Sequence, residues 1–167
     1  MNRPFTLRKA KPDDVFEVHR IHTMAIRKGG EGHYAPEVLE VWAGAFNPTN
    51  FPKNLERMEF HVAKLQDGRI GAFLAFDLTT RELDSLYVAP WGEGLGLGSF
   101  LLGFAEEASR LAGVDSLWLD ASLNAVGFYR KYGWREVGRH ARVRNAVEIP
   151  VVRMEKDLVS HGTSETS

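Results

Sequence analysis

Apolar and polar positions alternate along several short runs of the chain, the pattern of half-buried β-strands. These runs occupy residues 5–10, 59–65, 69–79, 82–89, 114–121, 134–143 and 147–158. Asp67 and Gly68 separate the second run from the third and favour a tight hairpin turn there. The alternation therefore predicts about seven strands.

A second pattern, with apolar residues three and four positions apart, predicts about four helices. The first has a stripe of Val15, Val18, Ile21 and Ala25 and is expected to end before Gly29 and Gly30. The others are expected within residues 34–46, 100–112 and 124–133. The segment 47–58 is rich in turn residues and favours no single structure. The order of elements predicts an α+β fold, a mixed sheet covered by helices.

The length of 167 residues and the apolar fraction of 44% suit one domain with one core. We expect this domain to occupy residues 1–158, because nothing in the composition marks a second domain. The residues that follow, 159–167, are small and polar, and we expect a disordered tail there.

The charge balance argues against nucleic acid and anionic membranes as partners, since 21 basic and 22 acidic residues leave a net charge of -1. The basic stretch 139–144 alternates along a strand, which is typical of a solvated face. Neither a membrane span nor a signal peptide is evident in the sequence, so a cytoplasmic protein is expected. The absence of cysteine excludes disulfides and thiolate chemistry.

Four alternating glycines, Gly92, Gly94, Gly96 and Gly98, lie between a predicted strand and a predicted helix. Such a loop leaves backbone N–H groups free at a helix N-terminus, which favours phosphate binding. A P-loop would need a lysine after the last glycine, and the chain has none there. A dinucleotide-binding loop would need glycine at Ser99, so it fits less well, and a glycine-rich turn without a ligand also stays open.

The same residues carry a resemblance. The stretch LYVAPWGEGLGLGSFLL (86–102) resembles the acyl-CoA loop of the GCN5-related N-acetyltransferase (GNAT) superfamily, and GFYRKYGW (127–134) is similar to a second segment of that family. The likeness extends over residues 5 to about 157. It implies a mixed, mostly antiparallel central sheet, acetyl-CoA as co-substrate, and an amine acceptor, either a small molecule or a peptide or protein. It also implies direct attack of the amine in a ternary complex and leaves a homodimer through the late strands open.

The resemblance also implies which residues contact the cofactor. They are Leu86, Tyr87, Val88, Glu93, Gly94, Leu95, Gly96, Leu97, Gly98, Ser99, Ser122, Asn124 and Tyr129. Two positions depart from the family pattern: Glu93 stands where glutamine or arginine is usual, and Ser122 stands where asparagine is frequent, with Asn124 two positions away.

Catalytic roles carry over in the same way. Glu82 matches the general base of histone-modifying members, Tyr129 matches the tyrosine at the CoA sulfur, and the N–H of Val88 is expected to polarise the thioester carbonyl. Strict alternation would put Glu82, Asp84, Leu86 and Val88 on one face of their strand, so Asp84 is an alternative base. Either carboxylate could instead be an ion-pair partner.

The acceptor is expected between the first two helices and the last two strands, where His33, Tyr34, Trp42 and Phe46 could form an aromatic pocket. Core packing is the alternative for Trp42 and Phe46. His19 and His22 lie three residues apart but have no third ligand near them in sequence, so we expect no metal site. A catalytically silent acyl-CoA-binding domain, and an acyltransferase for longer chains or alcohols, are the alternative functions.

Overall fold

The computed structural model describes residues 3–159, and within them seven strands and five helices. The strands are β1 (Phe5–Lys9), β2 (Glu59–Leu65), β3 (Ile70–Asp77), β4 (Glu82–Val88), β5 (Ser116–Ser122), β6 (Arg135–Arg144) and β7 (Val147–Asp157). The helices are α1 (Val15–Gly30), α2 (Pro36–Ala43), α3 (Phe51–Arg57), α4 (Leu97–Leu111) and α5 (Val126–Lys131). The tail expected to be disordered lies outside the described residues from residue 160 onward.

All seven strands form one sheet in the order β1-β2-β3-β4-β5-β7-β6. Every neighbouring pair is antiparallel except β4 and β5, which run parallel. The predicted α+β class, with a mostly antiparallel sheet of about seven strands, is confirmed.

Helices cover both faces of the sheet, and the side chains of β3 alternate between two cores. Leu74 and Phe76 pack with Leu101 of α4 on one face, while Phe73 packs with Ile21 of α1 on the other. Because both faces are covered, all eight residues of β3 are buried. The centre of the sheet is therefore a rigid support for the strands beside it.

The structure differs from the sequence expectation at two helices. The segment 47–58, whose sequence favours no single structure, contains α3. Its second residue is Pro52, a favourable position because the first turn of a helix needs no N–H donor there. Helix α1 continues through Gly29 to Gly30 instead of ending before them. A Cβ on Gly30 would lie 2.3 Å from Leu39 Cδ2, so this glycine permits close packing of α1 against α2.

The parallel strands β4 and β5 separate soon after they meet. A single residue pair, Glu82 with Trp118, is in register between them among residues 3–159. Beyond that pair, the carboxyl ends of the two strands diverge and leave a cleft in the sheet. This cleft lies where β4 runs into the glycine loop.

Candidate functional site

The glycine loop presents an unbroken series of free amides. The backbone N–H groups of residues 94–99 form no backbone hydrogen bond within the described chain, whereas Phe100 N donates to Gly96 O at 3.1 Å and begins the regular pattern of α4. Gly94 and Gly96 have positive φ values of 81° and 76°, which turn successive amides toward one side. Six amides at the N-terminus of a 15-residue helix form an anion-binding concavity.

Gly92 serves packing instead. A Cβ at this position would lie 2.5 Å from the carbonyl oxygen of Gly71 in β3, far inside van der Waals contact. The loop therefore lies directly on the sheet, which fixes the position of the amides that follow.

Glu93 forms an ion pair with Lys28 near the end of α1. Lys28 Nζ lies 2.9 Å from Glu93 Oε1, and both side chains are more than half exposed. The charge of Glu93, which departs from the family pattern, is therefore balanced by that of Lys28 on the opposite side of the cleft. An anion bound at the loop would meet the lysine as well as the glutamate.

Three adjoining cavities, all lined in part by Trp42 and Tyr87, follow the cleft into the protein. The loop cavity, about 330 Å³, is lined by Val88, Glu93 and Asn124 among others. The neck cavity, about 60 Å³, lies between β4 and β5 and reaches Tyr129. The polar cavity, about 180 Å³, is lined by the side chains of Glu82, Asp84, Arg142 and Arg144 and by neighbouring residues.

A β-bulge in β4 corrects the expected distribution of side chains. Ala75 pairs with Ser85 but Phe76 pairs with Leu83, so Asp84 is an extra residue without a partner on β3. The register places Glu82 on the same face as Ser85 and Tyr87. The expectation that Glu82, Asp84, Leu86 and Val88 share one face was wrong, because the bulge reverses the alternation after Asp84.

Leu86 and Val88 accordingly pack on the other face, against the core beneath α4. Glu82 and Asp84 still line the same polar cavity. The bulge thus puts Leu86 and Val88 on the face opposite Glu82, while Asp84 lines both the neck cavity and the polar cavity.

Glu82 is a half-buried carboxylate with one cationic partner. Its side chain is 18% exposed, and Arg142 Nη2 donates to Glu82 Oε2 at 3.1 Å. Burial, together with the charge of Asp84, raises the pKa of Glu82 although Arg142 opposes the shift. A carboxylate with a raised pKa, open to a cavity, can accept a proton.

Behind Glu82 lies a charge cluster that sequence reasoning missed. Asp120 on β5 accepts hydrogen bonds from His140 Nε2 at 2.9 Å, Arg142 Nε at 2.8 Å and Arg153 Nε at 2.7 Å. Burial would raise the pKa of Asp120, but these hydrogen bonds outweigh it and hold the pKa well below its usual range. Arg142, which the sequence assigned to a solvated face, therefore connects Asp120 with Glu82.

Tyr129 is buried on α5 with its ring edge-on to Trp134 and Phe128. Its hydroxyl forms no hydrogen bond to any other described residue and opens onto the neck cavity. Burial, and to a lesser extent Tyr87, raises the pKa of Tyr129 above its usual range. The phenol is therefore protonated at neutral pH and can act as a donor.

The remaining expected cofactor residues divide between the cavities, the loop and the core. Ser122 lines both the loop and the neck cavities, and Asn124 lines the loop cavity against Gly29. Ser99 Oγ donates to Gly96 O at 3.3 Å. The side chain of Leu97 is buried in the core, so its backbone amide is the group left for a ligand, while Leu95 is 37% exposed.

Of the four aromatic residues expected at the acceptor site, Trp42 lines all three cavities. Tyr34 is a structural residue: its hydroxyl donates to Pro150 O at 2.6 Å and accepts from Leu123 N at 3.0 Å. Phe46 stacks on His19, and His33 is exposed to solvent. The aromatic pocket expected from sequence is thus reduced to Trp42, which Tyr87 and His22 supplement.

His22 extends into the polar cavity between Phe46 and Tyr87. Burial, with the neighbouring His19, lowers the pKa of His22 to about 4, so the ring is uncharged at neutral pH. No group of three or more potential metal-ligating side chains occurs within residues 3–159. In the same range no helix is long and apolar enough to cross a membrane.

A wider surface depression, about 1410 Å³, lies away from this cleft, beside β1 and the first turn of α4. It is lined by Arg3, Leu65 and Phe100 among others, with no carboxylate or histidine among its described lining residues. Residues suited to proton transfer are concentrated at the cleft instead.

The chain is similar to known acetyltransferases both in sequence and in structure. A family model described as an acetyltransferase (GNAT) domain matches residues 31–158. A GCN5-related N-acetyltransferase ("Aminotransferase, Class-II") from Rhodopseudomonas palustris is 28% identical, with a TM-score of 0.86 over 94% of this chain and 97% of that one. No curated protein matches this chain.

Two more distant structures share the fold. PaiA N-acetyltransferase from Thermoplasma acidophilum, in complex with coenzyme A, is 21% identical with a TM-score of 0.75 over 94% of this chain and 99% of that one. The ribosomal-protein-S18-alanine N-acetyltransferase from Escherichia coli is 19% identical with a TM-score of 0.69 over 98% and 99% of the two chains.

Proposed function

Because this chain belongs to the acetyltransferase (GNAT) domain family, we propose that it transfers the acetyl group of acetyl-CoA to a primary amine. The observation that carries the proposal is the series of six free amides at residues 94–99, next to a cleft that reaches Glu82 and Tyr129. The complex of the PaiA enzyme with coenzyme A supports the choice of donor.

The residues of the cleft suit a pyrophosphate joined to a pantetheine arm. The loop amides would hold the pyrophosphate, since they combine free N–H donors with the positive end of the α4 dipole. The unpaired edge of β4 beside Val88 would hydrogen-bond the pantetheine, and Ser122 and Asn124 lie across the loop cavity from it. The pantetheine would deliver the thioester to the neck cavity.

Two side chains take part in the proton transfers, Glu82 at the amine and Tyr129 at the sulfur. An amine enters as an ammonium ion, and Glu82 takes one of its protons so that the nitrogen lone pair can attack the thioester carbon. The N–H of Val88 donates to the carbonyl oxygen as negative charge develops there. The attacking nitrogen then loses its second proton to solvent. As the C–S bond breaks, Tyr129 gives its proton to the departing sulfur, and the tyrosinate is reprotonated by solvent.

The catalytically silent alternative is not favoured by the site. A sensor would need the cofactor loop alone, but here the cleft beside the loop also contains a half-buried carboxylate with a raised pKa and a phenol without a hydrogen-bond partner in the described chain. Glu93, the acidic residue that departs from the family pattern at the loop, is paired with Lys28.

The test measures free CoA thiol released from acetyl-CoA in the presence of a panel of primary amines, with the acetylated product identified by mass spectrometry. We expect amine-dependent thiol release and intersecting initial-velocity lines, as direct attack in a ternary complex requires. Glu82→Gln should reduce turnover at neutral pH, with Glu59→Gln, a carboxylate on β2 outside the cleft, as the matched control. Acetyl-CoA binding without turnover of any amine would contradict the proposal.

A further inference from the structure

The polar cavity carries charges of both signs within a small space. Its volume of about 180 Å³ equals that of about six water molecules at about 30 Å³ each. Glu82 and Asp84 enter it from β4, and Arg142 and Arg144 enter it from the hairpin of β6 and β7. A ligand of this cavity therefore meets both carboxylates and guanidinium groups, of which Glu82 and Arg142 are already paired at 3.1 Å.

The hydrogen bonds of the cluster show which of these charges remain available. Asp120 is saturated, since it accepts from two arginines and a histidine. Arg142 uses Nε and Nη2 for Asp120 and Glu82, and within the described residues its Nη1 group has no partner. A pair of N–H donors beside the base is thereby left for a ligand.

Arg144 provides a second guanidinium without a counter-ion. It forms no ion pair with any residue in the described range, and its one hydrogen bond goes to the neighbouring carbonyl of Val143. Asp84 likewise has no cationic partner in that range, and its one side-chain bond comes from Ser85 Oγ at 2.7 Å. An unpaired carboxylate and an unpaired guanidinium thus line the same cavity.

We propose that the acceptor is a small amine that also bears a carboxylate, of the amino-acid type. Its ammonium group would bind between Glu82 and Asp84, and its carboxylate would bind Arg144 and the free Nη1 of Arg142. Guanidinium groups bind carboxylates through two parallel hydrogen bonds, so this recognition is directional as well as electrostatic.

The same arrangement disfavours other amines. A polyamine would place its second ammonium group beside two arginines, where like charges repel. A neutral monoamine would leave both guanidinium groups without an anion. Trp42, Tyr87 and Ile149 form the apolar part of the cavity wall and leave room for a short side chain on the acceptor.

This inference rests on the proposed function, and the experiment separates the two. The probes are α-amino acids and short ω-amino acids, each assayed beside its own carboxamide, which keeps the amine and nearly the same size but removes the negative charge. We expect kcat/KM for the best acid to exceed that of its amide at least about tenfold, because charge-assisted hydrogen bonds are about twice as strong as neutral ones.

Arg144→Gln supplies the residue-specific test. It should raise KM for the acid about tenfold and leave kcat and the kinetics of the amide nearly unchanged, so that the preference for the acid is lost. Arg144→Lys should restore part of that preference. Arg139→Gln is the matched control, since Arg139 is an exposed arginine on the same strand, outside the polar cavity, with Glu136 3.6 Å away.

The preference for acids over amides, in the wild type and in Arg144→Gln, separates three outcomes. Acids preferred by the wild type but not by Arg144→Gln would support the inference. Amides or simple amines acetylated at least as fast as the acids, or a preference that survives Arg144→Gln, would overturn it while the proposed function stands. No turnover of any amine, although acetyl-CoA binds, would overturn both.

Discussion

Tyr129→Phe removes one hydroxyl group from the neck cavity and no described hydrogen bond of the fold. The edge-on ring contacts with Phe128 and Trp134 are available to phenylalanine as well. We therefore expect the free energy of unfolding to change by less than about 1 kcal/mol, which for a domain of this size is within about 2 to 4 °C in Tm. The chemistry should respond much more strongly than the fold.

Loss of the proton donor to the thiolate should lower kcat by about 10- to 1,000-fold, near the range for general acid catalysis. That loss corresponds to about 1.4 to 4.1 kcal/mol of transition-state stabilisation. The assay is thiol release at saturating acetyl-CoA and amine, with Tm and the Kd for acetyl-CoA measured on the same preparation. A wild-type kcat in Tyr129→Phe would refute the assignment of Tyr129 as the acid.

Tyr34→Phe is the matched control. It deletes the bond to Pro150 O and leaves the N–H of Leu123 without its acceptor. The cost should be about 1 to 3 kcal/mol of stability, or about 2 to 12 °C in Tm, with kcat at temperatures below the transition nearly unchanged. Tyr129→Phe should therefore lower kcat but not Tm, and Tyr34→Phe should lower Tm but not kcat.

Three further predictions concern the base and the loop. In the wild type, kcat/KM should fall as the pH drops through the raised pKa of Glu82, because the protonated carboxyl accepts no proton. Glu82→Gln should have a low rate, and its pH–rate profile should lose this fall at acidic pH. If the variant keeps the fall at the same pH, the titrating group is not Glu82. Glu93→Gln should lower the Kd for acetyl-CoA and Lys28→Met should raise it, each by about two- to fivefold at low salt, because the ion pair is exposed. Calorimetry that shows weaker binding for Glu93→Gln or tighter binding for Lys28→Met would contradict this. Gly92→Ala should lower stability by about 1 to 3 kcal/mol and weaken acetyl-CoA binding, because its Cβ would meet the carbonyl of Gly71; a wild-type Tm would mean that the loop has room to move.

Periodicity alone was enough to predict the strands and most helices, because each pattern comes from one element burying one face. The glycine loop was equally readable, since only glycine suits positive φ at Gly94 and Gly96 and the contact of Gly92 with β3. The resemblance to a known family, now confirmed over most of the chain, rested on this loop and on the segment 127–134.

The bulge at Asp84 was not predictable from alternation. The residue types of β4 do not indicate where its alternation is interrupted, and the extra residue becomes visible only when the strand is paired with β3. Helix α3 was missed for a different reason: its proline and asparagine residues are typical of turns, yet Pro52 lies where a helix accepts proline.

Ion pairs between residues far apart in the chain could not be predicted from the sequence either. Asp120 meets Arg142 and Arg153 because β5, β7 and β6 are neighbours in the sheet, and Lys28 meets Glu93 across 65 positions of the chain. The one local signal was the alternation of basic residues within 139–144, which places His140 and Arg142 on a common face. That pattern did not reveal that an acidic residue faces them.

The central claim is that the cleft beside the glycine loop binds acetyl-CoA, and thermal unfolding with acetyl-CoA, NAD and ATP in parallel tests it most directly. Ligand at about 100 times its Kd should add roughly 2.7 kcal/mol of stability, or about 5 to 10 °C in Tm for a domain of this size. We predict this shift with acetyl-CoA and little or none with NAD or ATP. No shift with acetyl-CoA, or a larger one with NAD, would contradict the account.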